Sequence, residues 1–166
     1  MVDNIPNDRM VELVSSDNET FWVSRIAIRQ STLVNNMLKN LGLDEPGAKQ
    51  QNIPIPDVTS NILEKVIEYC EKHKNDPEPK ESEQPTELSD WDETFLNVDQ
   101  TTLYHLMMAA NYMDIKSLLK VCAKVIANMI RGKSVDRMRE IYNIENDYTP
   151  DENEKLRKEN AWCEIE

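Results

Sequence analysis

The sequence predicts an α+β fold, a small sheet capped by helices and followed by a helical C-terminal region. Two β-prone runs, MVELV and TFWV, flank the turn-forming Ser15, Ser16, Asp17 and Asn18 and read as a hairpin over residues 10–24. Ile62, Leu63, Val66, Ile67 and Cys70 recur at helical spacing, and the same period returns from about residue 100 to the end. Between these blocks, NIPIP is too rich in proline for a central strand, so Ile53 and Ile55 suggest a short edge strand.

The elements follow in order. Ser24 can cap a short helix over RIAIRQ, and Ser31 can cap STLVNNMLKNL, which Gly42 stops. Residues 44–52 read as a loop. The next helix, capped by Asp57 or Thr59, extends to about Lys72. NDPEPKESEQPTELSD, residues 75–90, holds three prolines and six acids against Lys80 and reads as an acidic surface loop. Ser89 then starts a helix anchored by Trp91, Phe95 and Leu96, and further helices are expected at about 101–113, 115–131, 134–142 and 150–161. Thr149-Pro150-Asp151-Glu152 combines a cap, a proline at the first helical position and a glutamate that can reach back.

Two of these helices carry more apolar surface than one docking face requires. Leu103, Leu106, Met107, Ala110 and Met113 form one line, while Tyr104, Met108 and Tyr112 form another. Leu118, Leu119, Cys122, Val125, Ile126, Met129 and Ile130 span an arc wider than a single stripe. The final helix is the reverse case, polar except for Leu156, Ala161, Trp162, Cys163 and Ile165. Such a helix is marginal alone and gains order when something covers Trp162. A partner protein explains both the excess and the deficit, and a helix buried on two sides within its own fold is the alternative for the excess.

Charge narrows the partner. The chain carries −12, with 19 Lys and Arg against 31 Asp and Glu, which opposes unaided binding to nucleic acid or anionic membrane. Residues 116–139 reverse the sign with seven bases against Asp136, a pattern that usually marks a solvated helix face. No apolar run approaches the roughly 20 residues of a membrane span. The first ten residues resemble neither a secretory signal nor a transit peptide, so a soluble intracellular protein is expected.

Catalytic chemistry finds little support. Cys70, Cys122 and Cys163 are widely separated and lack a CxxC pair, so neither a disulfide framework nor a zinc site is indicated, and Cys70 and Cys122 read as small core residues. His73, between Lys72 and Lys74 at a helix end, reads as solvated, and His105 as a polar-face residue or an interface contact. Three glycines cannot build a phosphate-binding loop. No catalytic residue, metal or cofactor is expected, and an enzyme is not.

The order SSDNETFWV, NILEKVIEYCEKHKNDP, an acidic gap, WDETFLNVDQTTLYHLMMAANYMDIKSLL, VIANMIRGKS, YNIENDYTPDE and LRKENAWCE resembles the S-phase kinase-associated (Skp) adaptor family from about Val11 onward. The resemblance implies a BTB/POZ domain over 10–131 and an F-box-binding extension of two helices over 132–166. It implies a non-catalytic adaptor of a cullin–RING ubiquitin ligase in cytoplasm and nucleus, with a cullin and F-box proteins as partners. Carried over by position, Tyr104, Met108, Asn111 and Tyr112 would face the cullin. Leu119, Ile126, Ile130, Glu159, Asn160, Trp162 and Cys163 would face the F-box. A weak homodimer of the free protein is left open.

The chain departs from the family pattern at Ser117 (often Gly), Lys120 (Asp), Val135-Asp136-Arg137 (Pro-Glu-Glu) and Tyr104, Tyr142 and Tyr148 (Phe), as a diverged paralogue would. Pro150 matches a proline modified in some protist members, although starting a helix already accounts for it. An elongin C-like adaptor is the nearest alternative and would lack KENAWCE; a BTB-type transcriptional regulator would use the basic stretch.

Overall fold

The structure, a computed structural model, describes residues 9–43, 51–76 and 88–163. Most of the expected acidic loop (residues 77–87), residues 44–50 of the expected 44–52 loop, and Ile165 lie outside the described residues.

The hairpin forms as expected: β1 (Met10–Val14) pairs antiparallel with β2 (Thr20–Ser24), Val11 opposite Val23 and Leu13 opposite Phe21. The turn is closed by Ser15 N donating to Glu19 O at 2.9 Å, with Asn18 at φ 62°. The proline-bounded β3 (Ile53–Pro54) joins parallel to β1, giving the order β2-β1-β3 with β3 at an edge. α1 (Arg25–Ile28) and α2 (Thr32–Asn40) start at Ser24 and Ser31, whose side chains accept from Ala27 N and Val34 N. Gly42, at φ +63°, follows α2 in the left-handed conformation that a residue with a Cβ adopts only under strain.

α3 (Ser60–Lys72) is the hub, packing against α1, β2 and the later helix over Gln100–Tyr112. Its Ile62, Leu63, Val66, Tyr69 and Cys70 are buried, and each fully buried aliphatic contributes about 1.5–3 kcal/mol over leaving it in water. Burial pushes the Cys70 thiol up to about 12, as suits an inert core residue. After α3 come α4 (Asp90–Phe95), α5 (Gln100–Tyr112), α6 (Lys116–Ile130), α7 (Val135–Tyr142), α8 (Pro150–Glu159) and a 3₁₀ turn (Ala161–Cys163). The fold is therefore α+β, with a three-stranded sheet and a helix-rich C-terminal region. Two compact units are distinguishable, Met1–Val125 and Ile126–Glu166.

Two local expectations are corrected. Thr59 stands at the N-cap of α3, but its side chain makes no cap hydrogen bond, and Asp57 does not take that place. The start of α3 is served by Asp17 in the hairpin turn, whose carboxylate accepts from Ser60 N at 2.8 Å and Ser60 Oγ at 2.5 Å. A carboxylate 43 residues away in sequence thus caps the helix through space.

His73 is the second correction. Its side chain is only 15% exposed, with Nδ1 2.6 Å from Asp76 Oδ2 and Nε2 3.0 Å from Asp92 Oδ1. The ring lies on Tyr69 at a centroid distance of 4.3 Å and edge-on to Trp91 at 5.5 Å. Asp92 also accepts from Ser89 Oγ, so the cap of α4 and the end of α3 share one carboxylate. A partner from beyond the acidic segment, invisible to local spacing, removes His73 from solvent.

The hydroxyl of Ser15 first, and that of Ser60 next, hold the Asp17 carboxyl down at about 2, below its usual 3.8. Its stabilisation is fully present above pH 3.8 and is lost as pH falls through about 2. Asp17→Asn should therefore lower the melting temperature at neutral pH, and the gap from wild type should close on acidification through that window. His73→Ala should destabilise the chain by about 1–3 kcal/mol in urea unfolding, because the buried Asp92 loses a partner.

Candidate partner-binding surfaces

The first surface lies on α5. Asp99 caps this helix, accepting from Thr102 N at 2.9 Å. Its other end is fixed where Met113 O accepts from the buried Ser31 Oγ at 2.6 Å and from Leu33 N at 3.4 Å. Asp114 O accepts from Thr32 N at 3.3 Å, so the carbonyl end of α5 meets the amide end of α2 and their dipoles are complementary. The carbonyl end of α5 is thus tied to α2, and the helix packs against α3.

Leu103, Leu106, Ala109, Ala110 and Met113 are buried and Met107 is half-buried. Across the helix, Met108 is 60% exposed, Asn111 is exposed, and Tyr104 and Tyr112 are half-buried. The structure thus brings Tyr104, Met108, Asn111 and Tyr112 together on one outward ridge. Partial burial, then the negative charge of Asp57 and a hydrogen bond to it, raise the Tyr112 phenol above its usual range. The tyrosine stays neutral and orients toward the turn before α3.

The second surface involves α6 and the C-terminal unit. Of the α6 residues, only Leu118 and Cys122 are buried; Leu119 and Ile126 are half-buried and Ile130 is exposed. Leu119, Ile126 and Ile130 share a face by helical spacing. α7 and α8 bury no residue at all. Among the described residues of 126–162 none is buried, although Ile130, Val135, Ile144, Tyr148, Leu156 and Trp162 are large, apolar and exposed. Val135 and Ile144 fall outside the set expected from sequence; they stand beside helix ends, where no periodic pattern singles them out.

Local forces build this unit instead of a core. Ser134 caps α7, accepting from Arg137 N, and Asn143 ends it at φ 49°. Arg137 pairs with Glu140 at 2.6 Å and Arg139 with Asp136 at 3.2 Å. The capping box of α8 is as the sequence predicts: Thr149 Oγ1 accepts from Glu152 N, and Glu152 Oε2 accepts from Thr149 N at 2.9 Å. Such pairs and caps contribute a few tenths to about 1 kcal/mol each.

α8 ends at Glu159, two residues short of the expected end. Asn160 is the C-cap: its backbone N makes the last i→i−4 bond, to Leu156 O at 3.0 Å, and its side-chain Nδ2 donates to the same carbonyl at 2.9 Å. The chain tightens into the 3₁₀ turn that carries Trp162, which is 83% exposed. Glu159 is exposed, with Lys155 4.0 Å away, and Cys163 is placed by its backbone within the turn.

Among the described residues no group of three or more His, Cys, Asp or Glu could hold a metal, and no helix is long and apolar enough to cross a membrane. The chemistry on offer at both surfaces is apolar contact and hydrogen bonding.

Comparison with known proteins meets this geometry at both ends of the chain. The profile described as Skp1 family, tetramerisation domain matches residues 9–75, and that described as Skp1 family, dimerisation domain matches residues 116–163. The Skp1-related protein of Caenorhabditis elegans is 48% identical, over 98% of this chain and 96% of its own. The chain belongs to the Skp1 family. Other members include suppressor of kinetochore protein 1 of Schizosaccharomyces pombe, 44% identical over 93% of this chain and 97% of its own. The SCF ubiquitin ligase complex protein SKP1a of Dictyostelium discoideum is 45% identical over 93% and 96%. In Skp1-family terms the sheet and helices around α3 are the POZ-type domain, and the second match takes in the helices that lack a core.

Trp162 should behave as a fully hydrated indole. Trp162→Phe should remove the most acrylamide-quenchable, red-shifted part of the emission and leave that of the Trp91 cluster; unchanged quenching would place Trp162 under cover.

Proposed function

We propose that this Skp1-family chain is a non-catalytic adaptor that joins F-box substrate receptors to a cullin scaffold in a ubiquitin ligase complex. The observation that carries the reading is a helical C-terminal unit without one buried residue among those described, ending in a tryptophan 83% exposed. A helix of α8's length is marginal alone, and covering a large aromatic is worth about 2–3 kcal/mol. A receptor that covers Trp162, Ile130 and their neighbours therefore supplies the burial this unit lacks. Relatives named as subunits of the SCF ubiquitin ligase complex support reading that partner as an F-box receptor.

The α5 ridge of Tyr104, Met108, Asn111 and Tyr112 is the cullin face in this reading. Leu119, Ile126, Ile130, Glu159, Asn160, Trp162 and Cys163 form the receptor face. The POZ-type domain serves as the cullin-bearing part and residues 132–166 as the receptor-bearing extension. The adaptor makes and breaks no bonds. It raises the effective concentration of a receptor-bound substrate near the ubiquitin-transfer machinery. The positive +6 stretch does not favour a DNA-binding reading, because the chain as a whole carries −12.

Two variants separate the faces. Trp162→Ala should weaken F-box capture by about 2–3 kcal/mol while cullin binding holds, since aromatic anchors dominate such interfaces. Asn111→Lys with Tyr112→Lys should abolish cullin pulldown and spare F-box capture. Equal loss of both partners in either variant would contradict two separate faces.

A further inference from the structure

α5 and its C-cap carry three methionines in three settings. Met113 is fully buried, Met107 is half-buried and Met108 is 60% exposed. Among the described residues Met10, on β1, is the only other exposed methionine. Met108 also stands at the middle of the ridge read above as the cullin face. Tyr104 lies four residues before it and Tyr112 four residues after it, so the three share one side of the helix. A thioether in that place is an apolar, adaptable contact that packs well beside aromatic rings. It is also a side chain that oxidation turns polar. Cys70 and Cys122 are poor competitors for an oxidant. Both are buried, and burial pushes both thiols up to about 12, away from the reactive thiolate form.

We propose that Met108 is a redox modification site: oxidation of its thioether to the sulfoxide in the free chain weakens the cullin face, and reduction restores it. This rests on the cullin reading of α5 above and adds how that face is regulated. The oxidant is a peroxide. The sulfur attacks one peroxide oxygen, an S–O bond forms as the O–O bond breaks, and the departing hydroxide takes up a proton to leave as water. Sulfur gives up two electrons and the peroxide accepts them. Methionine sulfoxide reductase reverses the step with a dithiol, which becomes a disulfide while the oxygen leaves as water. In the free chain, water satisfies the sulfoxide oxygen as a hydrogen-bond acceptor. Under a docked apolar surface the same oxygen is buried without a donor, so the cost falls on the complex. The fold is spared, because Met108 is exposed while Leu103, Leu106, Ala110 and Met113 pack on the other side of the helix.

The experiment uses the full chain as wild type, Met108→Leu and Met10→Leu. Each is treated with hydrogen peroxide, freed of it, and compared with its own untreated form for affinity to a cullin N-terminal fragment. Peptide mass spectrometry reads the sulfoxide at each methionine. Met108 and Met10 should oxidise ahead of Met107 and Met113. Treated wild type and treated Met10→Leu should each lose cullin affinity roughly tenfold, with helical content unchanged. Treated Met108→Leu should show no such loss, and the reductase with a dithiol should return treated wild type to its untreated affinity. Unchanged cullin affinity with Met108 fully oxidised would overturn the redox site and leave the adaptor reading standing. An equal loss in treated Met108→Leu, or a Met108 that stays reduced while Met113 oxidises, would do the same. Failure of untreated wild type to bind the cullin fragment would overturn the adaptor reading as well.

Discussion

The domain can bury only one side of α5, and most of the molecule's behaviour follows from that limit. Ser31 and the first amides of α2 hold the carbonyl end of α5, which packs against α3 and buries Leu103, Leu106, Ala110 and Met113. The side bearing Met108 is left in water. An apolar ridge held this firmly is preorganised, and a partner that meets it has little ordering entropy to overcome.

The C-terminal unit works by the opposite principle. Caps, a capping box and i,i+3 or i,i+4 ion pairs give it helices, and none of its described residues is buried to give it a core. Exposed pairs of this kind contribute little in water and less in salt. Its order and its partner are therefore linked: the apolar area it exposes is stabilisation deferred until docking. A rigid ridge and a coreless unit in one chain suit an adaptor that keeps one partner on a fixed platform and accepts a series of others.

Much of this was legible in the sequence, because the strongest signals were local and periodic. The hairpin, the capped starts of α1, α2, α4, α7 and α8, the edge strand and the double-sided α5 each rest on residues within a few positions of one another. Family resemblance added which surfaces to expect, and the relatives' names speak to the complex alone. Two of the misses are long-range. Asp17 caps α3 from 43 residues away, and His73 meets Asp92 across 19 residues that include the acidic segment. The early stop of α8 is local: Asn160 takes the C-cap place and its amide donates back to Leu156 O, a detail that helical spacing alone does not give. Exposed apolar residues beside turns, such as Val135 and Ile144, carry no period to reveal them.

Hydrogen exchange on the full chain tests the two-surface account most directly, read free, with a cullin N-terminal fragment, with an F-box protein, and with both. The free chain should exchange slowly in α3 and the buried turns of α5, and fast through α7, α8 and the Trp162 turn. The cullin fragment should slow only peptides of α5 and its surroundings, the F-box protein only those from α6 onward, and the two together should give the sum of both patterns. Slow exchange around Trp162 in the free chain, or partners that protect the same peptides and displace each other, would contradict it.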